Sequence, residues 1–595
     1  MTNLHDTLWS LTNDDLRIRL KFLDAKAKVT RKAELIDAIK ATLEGPALDS
    51  AWEALAETEQ LAVAEAVYDP ARRHHSDQFT AKYGRVAEFH HRPAGDRKYS
   101  FYPSADNATR LHVFFYRDRG AGGYFIPHDL AANLRPLCPK PKTPSVPCIP
   151  QPTADDAITL RHTEAEALTE IGALLRLTGL GGLRFGPTTG IPAKAALGAI
   201  RPLLVAGDWF PPEISNPTNK QTSDQEMGPI KSIGWTRLLH AAGLISMSGA
   251  KSALTPTGRR ALDQPAWECI ADIWQQWASN KLYDEFNRIE VIKGQSVKGS
   301  LTPSVPRRSV VLKALAECPV GEWMPFAGFS GYMRAVGHRF EVSHDPWKLY
   351  VADREYGSLG YDGCCGWDVL QDRYLLCFLM EYAATLGLID IAFSMPDGML
   401  PTSMWGMEGY SWLSRYDGLR AFRINPLGAY VLRGGKTNYQ PSRSDPQTRL
   451  SVLPNRTIRV TSGSLSPAER MHLEIWAEPI GHNTFRADDT RALDAIEAGN
   501  DADRFAAFLQ ERDEQPLPET MEAFLRQARE NGGAVRQTDS AILFECRDAR
   551  TAELLATRKE LAKLCLRAGE TTLAVRENGL AAFRKHARAL GFGIR

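Results

Sequence analysis

No stretch of this chain approaches the roughly 18 consecutive apolar residues that a membrane-spanning helix needs. The most apolar long run, Leu375 to Leu388, is too short and is interrupted by Glu381. Met1 to Leu11 carries no basic region followed by an apolar one, so no export signal is read there. The nine cysteines have no regular spacing, which argues against a disulfide framework and for reduced, mostly buried thiols. These absences together predict a soluble, cytoplasmic protein. Charge of one sign is missing too. The 72 Lys and Arg against 71 Asp and Glu leave a net charge of +1. That excludes histone-like or tail-driven nucleic-acid binding, where charge asymmetry is large, but not a local basic face.

The sequence also lacks the motifs of common catalytic chemistry. A phosphate-binding loop needs Gly-x-x-x-x-Gly-Lys-Ser/Thr, because backbone amides must wrap the phosphates ahead of a helix N-terminus. In Gly435-Lys436-Thr437 the first glycine of that loop is Tyr430, Gly428 falls two positions early, and polar sequence follows. Asp513-Glu514 ends a polar helix rather than an apolar strand. Cys364 and Cys365 are adjacent and cannot easily share one tetrahedral zinc. His74-His75 and His90-His91 could combine only if their segments meet, and are read as solvated loop residues. Pro396-Asp397 has no acid-x-Lys after it, as a nuclease centre would, and no His-Glu-x-x-His or Gly-x-Ser-x-Gly occurs. The chain is therefore expected not to be an enzyme and to hold no cofactor, metal or catalytic residue.

What is present is a succession of modules. A length of 595 residues implies several domains of about 100–200 residues each. Residues 135 to 153 contain Pro136, Pro139, Pro141, Pro144, Pro147, Pro150 and Pro152 and form an extended linker. Residues 211 to 229 read as a loop inside a domain, and 437 to 447 as a domain boundary.

At the start, Leu11 to Asp15 offers a helix N-cap, followed by Leu16, Leu20 and Leu23 at helical spacing. Thr30 is expected to cap a second helix bearing Ala33, Leu35, Ile36 and Ile39. Lys26, Lys28, Arg31 and Lys32 cluster at the turn. Residues 1–45 resemble the SAP motif, a helical hairpin used for DNA attachment. A generic hairpin with a solvated basic turn fits the same residues.

A repeat is the strongest internal signal. In the first copy a helix with Leu238, Leu239 and Ala242 stops at Gly243, and the strand Leu244 to Met247 follows. Leu254-Thr255-Pro256-Thr257-Gly258 then leads into another helix. In the second copy a helix stops at Gly387, Leu388 to Ile391 follows, and after a Gly- and Trp-rich insertion comes Arg423-Ile424-Asn425-Pro426-Leu427-Gly428. Glycine supplies a left-handed helix stop, and Thr or Asn caps a helix with Pro at its first position. This is the second half of a winged helix, with preceding helices expected at Glu164 to Leu177 and Arg308 to Cys318. Winged-helix modules are thus predicted at 154–280 and 281–436, and a possible one at 46–135, where Leu111 to Tyr116 suits a buried strand. Trp267, Ile270, Trp274 and Trp277 share a helix face and read as core. Residues 447–595 read as a compact α+β domain, opened by the capping box Ser466-Pro467-Ala468-Glu469. The predicted fold class is α+β and multi-domain.

The whole resembles bacterial helicase-associated proteins related to the N-terminal, non-motor region of XPB-family DNA helicases. The matching features are the N-terminal hairpin, Leu183-Arg184-Phe185 with Thr189-Gly190-Ile191-Pro192, and Ala241-Ala242-Gly243-Leu244 with its Thr-Pro-Thr-Gly partner. To these are added Trp274-Gln275-Gln276-Trp277, Leu465-Ser466-Pro467, Phe508-Leu509, Pro516 and Pro518. The resemblance implies DNA engagement beside a motor on another chain. The expectation is a DNA-binding accessory subunit that recruits a separate helicase or nuclease, in genome maintenance or phage defence. The alternatives are a protein–protein scaffold and a transcriptional regulator. Winged-helix geometry places a recognition helix in the major groove and the wing on the backbone. The DNA contacts expected are Lys231, Arg237 and His240 on the helix, Lys251 at the wing, and Arg259 and Arg260 after it. Arg373 is the counterpart in the second copy, and Lys26, Lys28, Arg31 and Lys32 add the hairpin.

Overall fold

The computed structural model describes residues 3–23, 30–90, 107–118, 122–154, 157–181, 183–186, 191–210, 227–249, 251–361, 366–396, 412–435, 438–441, 448–481, 483–532, 534–535 and 540–594. The chain is α+β and multi-domain. It divides into two compact units, one of residues 1–447 with 464–472 and one of 448–463 with 473–595. No helix among the described residues is long and apolar enough to cross a membrane.

In the first unit one order of elements occurs three times: helix, short strand, helix, helix, then two strands. The first copy has helix Glu57–Tyr68, strand Arg73–His74, helices Ser76–Tyr83 and Leu111–Phe114, and strands Tyr116–Arg117 and Tyr124–Phe125. The second has helix Thr163–Gly179, a single bridging residue Arg184, helices Lys194–Ile200 and Lys231–Ala241, and strands Ile245–Ser248 and Lys251–Leu254. The third has helix Ser304–Ala316, strand Trp323–Pro325, helices Phe326–Val336 and Trp367–Cys377, and strands Ile389–Phe393 and Leu419–Ile424. In every copy the last strand lies between the other two and pairs antiparallel with both. Strand Thr159–Arg161 extends the third sheet at its edge.

The punctuation has a common physical basis. Gly243 (φ 70°) and Gly387 (φ 73°) end their helices in the left-handed region. Thr255 Oγ1 and Asn425 Oδ1 then accept from the amides of Gly258 and Gly428, at 3.0 and 2.9 Å. Those two glycines are tight for the same reason. A Cβ on Gly258 would stand 2.0 Å from the Leu244 carbonyl oxygen, and one on Gly428 1.9 Å from that of Leu388. Each closing helix therefore rests directly on the backbone where its own strand pair begins.

The second and third copies share one hydrophobic core, which includes Trp235, Trp274 and Trp277; the first copy and the N-terminal helices form another. The start of the chain holds three helices, Leu4–Trp9, Asn13–Phe22 and Lys32–Leu43. Thr12 caps the second of them in a capping box with Asp15. Thr30 does not cap the third, because that helix begins at Lys32 with Arg31 in the cap position and no side-chain bond. Leu111 to Phe114 is a helix, not a strand, closed by Phe115 N to Leu111 O at 2.9 Å. All four of its residues are buried, and a short apolar run without a period cannot distinguish a buried helix from a strand.

The second unit contains a four-stranded antiparallel sheet and three helices, Asp489–Glu497, Ala502–Arg512 and Glu519–Gly532. It also contains a three-stranded sheet with Thr572–Arg576 between Ala541–Glu545 and Cys565–Arg567. Helices Ala549–Thr557 and Leu580–Ala589 pack on that second sheet through Leu555, Leu573, Val575 and Phe583. In residues 464–472, which belong to the first unit, the Ser466 capping box forms, with the Ser466 amide donating to Glu469 at 2.9 Å and the Glu469 amide to Ser466 Oγ at 3.2 Å.

Candidate nucleic-acid interface

Contacts from Lys231, Arg237 and His240 to a major groove require the third helix of their repeat to face solvent. In the second copy that helix, Lys231–Ala241, is buried along its whole length except at the half-buried His240. It packs on the third helix of the next copy where that helix continues as the π-helical turn Phe378–Ala383. The approach is close enough that a Cβ on Gly234 would lie 2.3 Å from the Glu381 carbonyl oxygen.

The charges on these helices face each other. Lys231 Nζ is wholly buried and lies 2.5 Å from Glu166 and 2.7 Å from Glu170. Glu170 also accepts from Trp235 Nε1 at 2.8 Å, and Arg161 reaches Glu166 at 2.7 Å. Burial raises the carboxyl pKa of Glu170 despite Lys231. At Glu166 burial is outweighed by Arg161 and Lys231, which hold that carboxyl below its usual range. Across the helix pair, Glu381 receives Arg288 at 2.8 Å, Arg237 at 3.7 Å and the Tyr416 hydroxyl. Arg237 also donates to the Tyr382 hydroxyl at 3.2 Å. Arg373 is buried against Asp417 at 3.1 Å.

Lys231, Arg237 and Arg373 are therefore corrected: they are internal ion-pair residues with no surface to offer a phosphate. His240 does not reach solvent freely either, since its Nδ1 lies 2.7 Å from the Tyr283 hydroxyl.

The strand pair of the second copy stays outside. Arg184 and Lys251 are opposite residues of an antiparallel bridge, so their side chains leave the same face of the small sheet. Both are exposed, while their neighbours Leu183, Phe185 and Ser252 are buried. Ser246, Ser248 and Ala253 are exposed on the strand pair beside them. Lys194 opens the adjoining helix, directly after Ala193, whose amide donates to the Arg184 carbonyl at 2.8 Å. Arg259 and Arg260 are exposed on the short helix Pro256–Ala261 that follows the strand pair. Among the described residues, none of these five cations makes an ion pair with an acid.

The hairpin contributes less. Arg31 is exposed, and Lys32 donates to the Trp9 carbonyl at 2.7 Å with its Nζ 5.6 Å over the Trp9 ring. Lys26 and Lys28 lie outside the described residues, as do Cys364, Cys365, Lys436, Thr437, His91, Asp397, Thr189 and Gly190. His74 and His90 enter one aromatic cluster. His74 packs on Phe79, Phe89 and Phe115, and the His90 ring lies 5.0 Å from that of His112. Burial lowers the pKa of His74 and His112 to about 4. Among the described residues, no group of three His, Cys, Asp or Glu is placed to hold a metal ion.

Arg184 and Lys194 were not singled out as contacts from the sequence. The alternation Leu183-Arg184-Phe185 is the signal that was available, because it places Arg184 outward once its flanks are buried. No protein-family model matches the chain, and no curated protein matches it.

Proposed function

We propose that the three repeats are winged-helix modules and that the chain is a nucleic-acid-binding accessory protein. It meets the phosphate backbone with the wing face of the second repeat, not with the recognition helix. The observation that carries this reading is the exposed Arg184–Lys251 pair with Ser246 and Ser248 on the same strand pair and with Lys194, Arg259 and Arg260 exposed on the flanking helices, none of these cations being paired with an acid among the described residues. Cations and small hydroxyls on a flat sheet face suit phosphate oxygens, which position a protein without reading bases. With a net charge of +1, affinity depends on this local patch rather than on a long-range field. Catalysis on the bound nucleic acid is assigned to a separate helicase or nuclease.

The test is fluorescence-anisotropy titration of labelled duplex across a salt series. The slope of log K against log salt is about −0.9 for each phosphate contact. Arg184→Ala with Lys251→Ala should flatten it by roughly two contacts. An unchanged slope removes the wing assignment, and no binding at low salt removes the nucleic-acid reading.

A scaffold reading has one specific observation behind it. In the second unit, Leu543 and Leu566 flank Ala574 on the sheet face away from the helices, and both leucines are largely exposed. Such an apolar row suits a protein partner. Capture of a partner that Leu543→Asp abolishes, without DNA binding, would favour that reading.

A further inference from the structure

The third repeat carries a group of exposed rings that its core does not use. Residues 347–361, between its second and third helices, form a hairpin. Tyr350–Val351 pairs antiparallel with Ile292–Lys293 on one side and bridges Ser358 on the other. The turn is closed by Val351 N to Gly357 O at 3.0 Å and Gly357 N to Asp353 O at 2.9 Å. Asp353 Oδ1 accepts from the amides of Glu355 and Tyr356 at 2.8 and 2.9 Å. Gly357 is required by the fold, because a Cβ there would stand 1.9 Å from the Val351 carbonyl oxygen. The hairpin is thus held by its backbone, and Ile292, Val351 and Leu359 anchor it in the core.

Three aromatic side chains stand out from it: Trp347 is 59% exposed, Tyr356 64% and Tyr361 41%. The Trp347 ring rests on Gly360, where a Cβ would come within 2.1 Å of it. Tyr361 meets Trp347 edge-on, at 5.1 Å between centroids and 68° between planes, and its hydroxyl donates to the Glu355 carbonyl at 3.1 Å. An edge-on pair does not stack on itself, so the outer face of Trp347 is left in solvent. Burying a ring of this size is strongly favourable in water, so leaving three exposed on one short hairpin marks an interaction surface.

The surroundings decide which kind. Lys293 is the cross-strand neighbour of Tyr350, and Lys293, Lys298 and Arg354 are exposed. Among the described acids nearby, Asp345 is paired with Lys348 at 3.5 Å, while Asp353, kept ionised by its two amides, and Glu355 stand against the three cations, which leaves one net positive charge. Protein-docking hot spots set their aromatics in a desolvated apolar patch. Exposed rings interleaved with unpaired cations suit a strand whose bases stack while its phosphates are neutralised.

We propose that the Trp347, Tyr356 and Tyr361 hairpin is a stacking platform for the unpaired bases of a single-stranded nucleic acid. The inference rests on the nucleic-acid reading above and gives it a strandedness: the wing face holds backbone phosphates, and the hairpin holds bases.

The test uses the full-length chain and three labelled probes at one salt concentration. These are an oligothymidine of roughly 20 nucleotides, enough for one site, the same strand with abasic residues, and a duplex. Oligothymidine should bind on the order of 10-fold more tightly than the abasic strand, which has the same charge and no rings to stack. Trp347→Ala and Tyr356→Ala should each remove most of that preference, with abasic-strand and duplex binding unchanged. Tyr356→Phe, which keeps the ring, should restore it. Tyr356 is the safer position if Trp347→Ala disturbs the hairpin, because its ring is the most exposed of the three. Equal affinity for oligothymidine and abasic strand overturns the platform while leaving the wing reading in place. So does a preference that survives both alanine variants. Failure of all three probes to bind overturns both readings together.

Discussion

A buried ammonium is stable only while its carboxylates stay with it. Lys231 Nζ has no solvent exposure and touches both Glu166 and Glu170. Removing it leaves two carboxylates in a site that already pushes the Glu170 carboxyl up. Breaking such a pair costs about 3–5 kcal/mol, whereas an exposed change such as Lys251→Ala stays within about 0.5 kcal/mol. Urea midpoints of Lys231→Ala and Lys251→Ala should therefore separate clearly, and equal midpoints would contradict the internal role of Lys231. A second effect at this scale depends on pH. His74 and His112 have folded pKa values of about 4, below the unfolded value near 6.5. Between those values the unfolded chain binds more protons, so stability is fully present above about pH 6.5 and falls as the pH drops toward 4. The melting temperature of the wild type should decrease across that window. His112→Gln should reduce the proton uptake on unfolding by about one, and an unchanged pH slope would exclude His112 as a contributor.

Helix propensity and packing give opposite answers at two glycines of the same repeat. Gly198 is exposed within Lys194–Ile200, and a Cβ there meets nothing within 4 Å. Gly198→Ala should stabilise the protein by about 0.5–1 kcal/mol through the unfolded-chain entropy alone. Gly234 lies within Lys231–Ala241, where the same methyl would be driven into the Glu381 backbone. Gly234→Ala should destabilise by about 1–3 kcal/mol, because two packed helices must separate to admit it. Denaturant unfolding of the two variants checks the sign of each, and a neutral Gly234→Ala would mean the helices are not in register there. The same contrast explains what the sequence disclosed of the fold. The second half of each later repeat was legible because a left-handed glycine and a Thr- or Asn-Pro cap are local chemistry, complete within a few residues. The burial of the third helices was not, since Lys231 finds Glu170 61 residues away and Arg237 finds Tyr382 145 residues away. A lysine on a helix reads as surface until such partners are known. For that reason, of the contacts expected on the second repeat, Lys251, Arg259 and Arg260 remain exposed and the helix residues do not.

At the scale of the whole molecule, each compact unit has its own buried side chains. The repeats of the first unit bury the ion-pair group of Glu381, Arg288 and Arg237, while the C-terminal three-stranded sheet has a separate cluster around Leu573, Val575 and Phe583. A chain of this size with separate cores need not unfold as one cooperative step. Glu381→Gln keeps the shape of the side chain but leaves two guanidinium groups without their buried anion, at a cost of about 3–5 kcal/mol. Differential scanning calorimetry of the full chain should therefore show more than one transition. Glu381→Gln should lower only the one belonging to the repeats, and Phe583→Ala should lower only the other. A single transition that both substitutions shift equally would mean that the two cores unfold together, and the division into independent units would not describe how the protein loses its structure.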